Sequence, residues 1–315
     1  MLPLRQAICK LNDKVLTMHN LLHSVKQLCL CQCALVLSVC FISVDALAQS
    51  SVWVASKDDA KVYLGGTVHL LRPADYPLPE PFENAYQQAQ ELYFETDVAG
   101  LNDMSVQARM MQALTYSDER TLRSVLDAPT YAALSAHLAS TGMPIAMLEK
   151  FKPGLLVSTL QVIEFQKLGF TPQGVDVYFN TRAMGDGKTV GELEPIDSQI
   201  GFIAEMGEGN ESEFVRLSLE DLDDVASSMD QMLSAWRSGD NDSLESLFVS
   251  DMKEGYPALY DSLLVQRNLN WLPIIESMFQ DDDTEFVLVG AAHLVGEDGL
   301  LSLLESKGYT VTSVE

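Results

Sequence analysis

The chain has 315 residues, of which 47% are hydrophobic and 21% are charged. That much apolar material can form a large core, which excludes a largely disordered chain. With 20 Lys and Arg against 45 Asp and Glu, the formal charge is −25. So acidic a surface repels phosphate backbones and anionic lipids, and we therefore predict no nucleic-acid partner and no basic membrane-binding surface.

The beginning of the chain has the pattern of a secretory signal peptide. An apolar run over 28–44 is followed by an A-x-A cleavage pattern at 46–48. The run is shorter than the roughly 20 residues that span a membrane. We predict that residues 1–48 are a signal peptide with an N-terminal extension, for which Met18 is a candidate true start. The alternatives are a lipid anchor at Cys40 and a retained membrane anchor.

The distribution of cysteines agrees with export. All five cysteines lie before residue 49, so the chain that follows the signal peptide has none. This excludes a disulfide framework, a thiolate metal site and a cysteine nucleophile. An exported chain without cysteines is typical of a bacterial envelope. We therefore predict a periplasmic or secreted protein that contacts no membrane beyond the signal segment. The cysteines are Cys9, Cys29, Cys31, Cys33 and Cys40.

The first elements after the signal peptide are a predicted β-hairpin and a short helix–strand pair. Apolar strands over 52–54 and 61–64 flank a polar turn, a pattern that favours a hairpin. A proline-rich loop leads to a helix over 82–90. An apolar strand over 92–94 follows directly and ends in an acidic segment.

The middle of the chain is predicted to be mainly helical. Residues 104–168 have helical periodicity, and Ser117 and Thr130 are the candidate N-caps within them. Another helix opens at Gly174, and a short strand follows over 188–193. The periodicity therefore predicts a long helical segment before the second half of the sheet.

The last part of the chain predicts a βαβ unit. Residues 196–280 are mostly helical and carry the acidic excess, and these acidic runs lack the glycine-spaced loop of a calcium site. A strand over 285–289 follows. Glu297 and Asp298 are predicted to open the next helix, and 309–314 to form the final strand. A βαβ unit implies that part of the sheet is parallel.

Three histidines follow the signal peptide, and two of them share one pattern. His69 and His293 each follow an apolar strand, with Gly66 and Gly290 three positions before them. Ligand sites form beyond the carboxyl ends of parallel strands. Imidazole is the commonest metal ligand in proteins. Glu95 also ends an apolar strand, so we expect these two histidines and Glu95 to converge within a few ångströms.

The same pattern defines the predicted fold. No linker divides residues 49–315, so we predict one α/β domain. It has a central mixed, partly parallel sheet, two G-x-x-H strand–loop repeats and a large helical insertion. For the paired histidines, the structural alternative is burial against backbone groups. The third histidine, His137, lies in a helical stretch and is predicted to be structural or on the surface.

The paired G-x-x-H strands, with Phe94-Glu95 between them, resemble the TraB/GumN family, which is related to the TIKI Wnt-inactivating metalloproteases. The resemblance covers most of residues 51–315. Gly154 departs from the pattern, because many members have Trp at this position. The departure affects a packing contact and not the proposed chemistry. The other matching motifs are Lys152-Pro153, Leu168-Gly169, Gly174-Val175-Asp176, Gly187-Lys188, Leu193-Glu194 with Gln199, Arg267-Asn268 and Trp271.

The resemblance implies an α/β fold in which each half contributes one G-x-x-H. TIKI proteins are divalent-metal-dependent proteases, and erythromycin-esterase-like hydrolases use comparable His and Glu residues. Helix capping is the alternative for Asp176 and Glu194, and pairing with an acidic neighbour is the alternative for Arg267. His69, His293 and Glu95 match core positions of the family, and Asp176, Glu194, Arg267 and Asn268 match motif positions without an assigned role.

These observations predict an exported metal-dependent hydrolase acting on a peptide or protein. Mn²⁺, Co²⁺ or Zn²⁺ held by His69, His293 and Glu95 would lower the pKa of a bound water from about 15.7 toward about 7. Glu95 is either a ligand or the general base, and Arg267 is predicted to stabilise the oxyanion. The alternatives are a non-catalytic envelope protein that binds or sequesters a peptide or signal molecule, and an accessory role in the envelope.

Overall fold

The structure is a computed structural model that describes residues 50–315. The predicted signal peptide, residues 1–48, and the candidate lipid-anchor residue Cys40 lie outside the described residues. Among residues 50–315, no helix is both long and apolar enough to cross a membrane.

A six-stranded sheet forms the centre of the fold, in the order β4-β3-β5-β2-β1-β6. Strands β4, β3, β5 and β2 are parallel neighbours, whereas β1 pairs antiparallel with both β2 and β6. The predicted mixed, partly parallel sheet is confirmed. The strands are β1 (Val52–Lys57), β2 (Ala60–Thr67), β3 (Glu91–Phe94), β4 (Thr189–Glu192), β5 (Glu285–Gly290) and β6 (Thr310–Ser313).

Helices fill the connections between these strands, and most of them lie in two long segments on either side of β4. This confirms the large helical part of the fold. In chain order the helices are α1 (Glu80–Gln88), α2 (Met104–Leu114), α3 (Leu122–Val125), α4 (Ala128–Ser140), α5 (Pro153–Lys167), α6 (Val175–Asp186), α7 (Ile196–Glu205), α8 (Glu211–Asp221), α9 (Val225–Ser238), α10 (Asn241–Glu245), α11 (Asp251–Gly255), α12 (Pro257–Tyr260), α13 (Gln266–Met278) and α14 (Leu300–Ser306).

The predicted helical stretch over 104–168 is divided into four helices, and its predicted N-caps are wrong. The N-cap of α4 is Asp127, whose carboxylate accepts a hydrogen bond from the Thr130 N–H at 2.8 Å. A proline in the first turn suits a start at this point, since its missing N–H needs no partner there. The N-cap of α3 is Thr121 and not Ser117.

The βαβ unit at the end of the chain is present, but its helix begins later than predicted. Helix α14 starts at Leu300, so Glu297 and Asp298 precede it and do not form its first turn. Asp298 instead accepts a hydrogen bond from the Tyr260 hydroxyl at 2.7 Å. Glu297 pairs with Lys253. These side-chain contacts fix the loop before α14 rather than the helix itself.

Strand β5 is the centre of the core because both of its faces are covered. Phe286 and Leu288 pack into one cluster with Trp236. Val287 and Val289 pack into a second cluster on the other face of the sheet. A strand buried on both faces has a continuous apolar sequence, as β5 does. Helices therefore cover the sheet on both sides.

The carboxyl ends of the parallel strands lie at one edge of the sheet. Thr67 at the end of β2 is in register with Gly290 at the end of β5. Phe94 at the end of β3 is in register with Leu288 on one side and Glu192 on the other. The loops that follow β2, β3, β4 and β5 therefore all leave from this edge.

Candidate functional site

Each of these four loops carries one of the residues selected from the sequence. Glu95 directly follows β3, and His69 lies two residues beyond β2. Glu194 lies two residues beyond β4, and His293 ends a short 3-10 turn after β5. Parallel pairing thus brings residues that are far apart in sequence to the same edge, where ligand sites form in open α/β sheets.

Arg267 on α13 links three of the four loops. Its side chain is 9% exposed, and all five of its N–H donors have partners. Nη2 donates to Glu95 at 2.5 Å and to Glu194 at 2.8 Å, and Nε donates to Glu194 at 3.1 Å. Nη1 donates to His293 Nε2 at 3.0 Å and to the Leu263 carbonyl at 3.2 Å. Arg267 stabilises an oxyanion only if one of these bonds is released, so that role stays a prediction.

Aromatic side chains enclose the Arg267 guanidinium. Its carbon lies 4.5 Å from the Trp271 ring centroid and 5.5 Å from that of Phe202. The Trp271 indole N–H also donates to Glu194 at 3.2 Å. Low polarity around a fully paired cation strengthens its electrostatic contacts. The guanidinium is therefore held in one orientation.

His293 is a buried, neutral imidazole whose tautomer follows from its neighbours. Arg267 can only donate, so His293 Nε2 accepts and Nδ1 carries the proton. That proton is donated to Asn268 Oδ1 at 2.7 Å. Burial lowers the pKa of His293, and the charge of Arg267 lowers it further. Asn268 in turn donates to the backbone carbonyls of His293 and Asp298 at 3.2 and 2.8 Å.

Glu95 is an ionised carboxylate with four polar neighbours. It accepts hydrogen bonds from the Gly290 N–H at 2.7 Å, from Gln199 at 3.1 Å and from Arg267, and it lies 3.9 Å from His293 Nε2. Burial by itself raises the pKa of Glu95, but the charge of Arg267, the neighbouring His69 and the Gly290 N–H lower it well below its usual value. A carboxylate with so low a pKa is a weak base.

His69 has a different environment. Its side chain is 67% exposed, and Nδ1 lies 2.8 Å from the largely buried carboxylate of Asp176. Asp176 raises the pKa of His69, and the water around the exposed ring weakens that attraction. Because Nδ1 faces Asp176, the pair leaves Nε2 as the nitrogen that can exchange a proton with a substrate or water.

Gly174 makes the His69–Asp176 contact possible. A Cβ atom at this position would lie 2.3 Å from the His69 backbone carbonyl, so only glycine permits so close an approach. The next residue, Val175, donates its N–H to the Val68 carbonyl at 3.0 Å. The first turn of α6 is therefore fixed against the loop after β2, which places Asp176 beside the imidazole.

A cavity of about 240 Å³ opens beside this pair. Its polar lining consists of His69, Glu95, Thr96, Asp176 and Gln199, and the rest of the wall is mainly apolar. The Thr96 hydroxyl has no hydrogen-bond partner among the described residues. A mostly apolar cavity with a few converging polar groups is typical of small binding and catalytic sites.

The predicted ligands do not fit a divalent metal ion in this arrangement. Within residues 50–315, no three His, Cys, Asp or Glu side chains are grouped so that they could hold one. Arg267 donates to both Glu95 and His293 and uses the Nε2 lone pair of His293. His69 Nδ1 is already bonded to Asp176. A permanent cation thus takes the place expected for the metal.

The remaining sequence-selected residues lie as follows. His137 is on α4, where its ring faces Glu164 at 3.4 Å and contributes nothing to the cavity. Gly154, the departure from the family pattern, packs so tightly that a Cβ atom would lie 2.0 Å from the Ile203 carbonyl oxygen. A Trp at this position would require a different packing of α5 on α7. Gly66 packs beside Ala291, where a Cβ atom would lie 3.2 Å away.

Two partners of the site were not assigned from the sequence. Asp176 matched only a motif position, and its role beside His69 depends on the start of α6. Gln199 lay in a matching motif but was not among the selected site residues. The signal in both cases was a polar residue in the first turns of a helix that begins near the sheet edge.

The fold and site define an α/β protein with a charged cluster at the carboxyl edge of its sheet. The model of the TraB/PrgY/gumN family matches residues 51–313, and the chain belongs to this family. The predicted family is therefore confirmed. Searches of the curated proteins and of the solved structures gave no match.

Proposed function

We propose that this protein is an exported hydrolase that cleaves a peptide bond in a peptide or protein substrate. The observation that carries the proposal is the His69–Asp176 pair at a cavity that Glu95 also lines. An exposed imidazole oriented by a buried carboxylate is the arrangement of a general base. Family membership is consistent with such a site but does not itself define the reaction.

The proposed reaction is direct attack by water. Unprotonated His69 Nε2 takes a proton from a water molecule in the cavity, whose oxygen attacks the carbonyl carbon of the scissile bond. The tetrahedral intermediate then collapses, the C–N bond breaks, and His69 returns the proton to the leaving amine. The products are one carboxylate and one amine, and Asp176 stabilises the imidazolium in between.

Other polar groups of the cavity support these steps. The second N–H of Gln199, whose first N–H donates to Glu95, is the donor proposed for the developing oxyanion. Glu95 acts as a fixed negative charge that favours the protonated form of His69. Arg267 positions Glu95 and His293. Preorganised donors and charges of this kind contribute most when they need not reorient during the reaction.

Dependence on Mn²⁺, Co²⁺ or Zn²⁺ stays a prediction. A bound divalent metal ion would supply an activated water and polarise the scissile carbonyl. Because Arg267 already occupies the Nε2 lone pair of His293 and one carboxylate oxygen of Glu95, we derive no step that passes through a metal ion. Elemental analysis of the purified protein, with His69→Ala as the comparison, tests this point independently of activity.

We also propose that the protein acts in the bacterial envelope after removal of residues 1–48. The apolar run and the A-x-A pattern support this location. Intact-mass measurement on envelope fractions is expected to find Gln49 as the first residue. Recovery of the full-length chain from the cytoplasm, or of an anchored chain from the inner membrane, would contradict the proposal.

The catalytic proposal is tested by peptide hydrolysis with matched histidine variants. His69→Ala is expected to lower kcat by about 100-fold or more, since general-base catalysis contributes about 10²–10⁴. His137→Ala should leave the rate unchanged. Because Asp176 raises the pKa of His69, the rate should still be rising at pH 6.5, the ordinary pKa of histidine, and should level off only at higher pH. Peptide binding without hydrolysis in the wild type would favour the non-catalytic binding protein.

A further inference from the structure

A second cavity lies between α7, α8 and the α11–α12 segment. It has a volume of about 460 Å³, within the usual range of binding pockets. Both aromatic rings and carboxylates line its wall. We call it the acidic groove and define it by Phe202, Glu205, Glu208, Glu213, Phe214 and Tyr256.

The charges of the acidic groove favour a cationic ligand. Among the described residues, no Lys, Arg or His forms an ion pair with Glu205 or Glu213. Nearby Arg216 is already paired with Glu220 at 2.8 Å. Glu208 also lines a small adjacent cavity that contains two basic residues. We therefore attribute the unneutralised charge of the groove to Glu205 and Glu213.

The aromatic rings of the groove complement these carboxylates. Phe202, Phe214 and Tyr256 are half-buried, so their rings form wall rather than free surface. A Lys or Arg side chain combines an apolar stem with a cationic head. The stem can pack on the rings, and the head gains both from the ring faces and from the carboxylates. A neutral or an acidic side chain could not interact favourably with both the aromatic rings and the carboxylates.

Helix α7 connects the acidic groove to the site at the sheet edge. Gln199 and Phe202 are spaced at i and i+3 on one face of α7, and Met206 directly follows the last residue of the helix. Gln199 bonds to Glu95, Phe202 packs over the Arg267 guanidinium, and Met206 lines the groove. Seven helical residues span about 10 Å. An extended peptide covers that distance in about three residues.

We propose that the acidic groove binds a Lys or Arg side chain of the peptide substrate, about three residues from the bond that is cleaved. The proposal rests on the proposed peptide substrate and specifies its chemical class, a segment with a basic residue near the scissile bond. The groove supplies binding selectivity only, and the reacting groups remain those around His69.

The test compares two fluorescein-labelled, alanine-rich decapeptides that differ only in a central Lys or norleucine. Anisotropy with the His69→Ala protein is expected to show about fivefold tighter binding of the Lys peptide. Glu205→Gln with Glu213→Gln should abolish this preference, and 0.5 M NaCl should weaken it. The matched control, Asp59→Asn with Glu305→Gln, removes the same amount of charge from exposed positions elsewhere. It should retain the preference for the Lys peptide.

Two results would overturn the proposal. One is equal affinity of the unmodified groove for both peptides. The other is an equal loss of preference in the matched control, which would show an effect of net charge rather than of the groove. The binding assay does not require hydrolysis, so its outcome is separate from that of the catalytic proposal. If the wild type hydrolyses peptides without any preference for Lys, the catalytic proposal stands. The proposal that the acidic groove determines substrate specificity is then wrong.

Discussion

His69 and His293 occupy the same position in two G-x-x-H repeats but have opposite environments. The His69 side chain is 67% exposed, whereas that of His293 is 5% exposed. His69 faces a carboxylate, which raises its pKa, whereas His293 lies in a buried pocket beside a guanidinium, and burial lowers its pKa. The repeat thus determines where an imidazole leaves the sheet, while residues from distant helices determine what that imidazole can do.

The difference begins in the sheet register. Gly66 is in register with Val289 and not with Gly290, so the two repeats are offset by one residue. The loop after β5 turns into a short 3-10 segment that carries His293 beneath α13. The loop after β2 instead meets the first turn of α6. One histidine therefore becomes part of the buried cluster, and the other remains available to solvent.

Removing Arg267 should destabilise the protein most, because this cation organises the buried cluster around His293. Arg267→Met would leave the carboxylates of Glu95 and Glu194 buried without a counter-charge. Breaking a buried ion pair in this way typically costs about 3–5 kcal/mol. Urea unfolding at pH 7 measures the loss. The exposed Arg216→Met variant, which removes an ion pair with Glu220, is the control and should cost less than about 1 kcal/mol.

A similar small loss for both arginines would contradict this account of the buried cluster. It would mean that Glu95 and Glu194 become protonated or hydrated at little cost once Arg267 is removed. The buried cluster around His293 would then differ from the surroundings of His69 in its arrangement but would contribute little to stability.

A second prediction concerns the pH dependence of stability. The pKa of His293 falls from 6.5 to about 3 on folding, so the unfolded chain binds a proton below pH 6.5 that the folded chain does not. Stability from this group is therefore lost as the pH falls. Between pH 7 and pH 5 the loss is about 2 kcal/mol. The free energies of unfolding of the wild type and His293→Gln, measured in urea, should converge by that amount.

The corresponding effect of His69 has the opposite sign. Its pKa is raised on folding, so its contact with Asp176 stabilises the protein below pH 6.5 and loses that contribution as the pH rises through the folded pKa. The screening of the exposed ring makes the effect smaller. A constant difference between wild type and His293→Gln across pH 5 to 7 would show that folding does not lower the pKa of His293.

The sheet was predictable from the sequence because its strands have strong local patterns. The hairpin at β1 and β2 and the final βαβ unit follow from apolar runs bounded by turn residues. The N-cap of α4 and the start of α14 were not predictable in the same way. Asp127 competes with Thr130 for the cap, and Gly299 packs against the Leu294 carbonyl, where a Cβ atom would lie 2.4 Å away. The start of α14 therefore depends on a contact that local propensity does not contain, whereas the Asp127 cap is a local contact that the choice of Thr130 overlooked.

The site was predictable in its residues more than in its connections. The strand-end rule selects His69, Glu95 and His293, since each follows an apolar strand. It does not indicate that Arg267, from a helix about 170 residues after Glu95, donates hydrogen bonds to both Glu95 and His293. A predicted metal ion and an arginine satisfy the same need for positive charge. Only the packing of α13 on the sheet distinguishes the two.

The most subtle predicted change is a shift in the pKa of the His69 imidazole. It tests most directly whether His69 and His293 have different environments. Residues 49–315 contain three histidines, so NMR can follow each ring during a pH titration. In the wild type, His69 should titrate above pH 6.5, and His293 should not titrate down to pH 5. Asp176→Asn removes the carboxylate but keeps a similar shape, so the His69 pKa should fall toward 6.5 while His293 is unchanged. Titration of both rings near pH 6.5 in the wild type would mean that the two repeats hold equivalent histidines, and the assignment of His69 as the base would lose its physical reason.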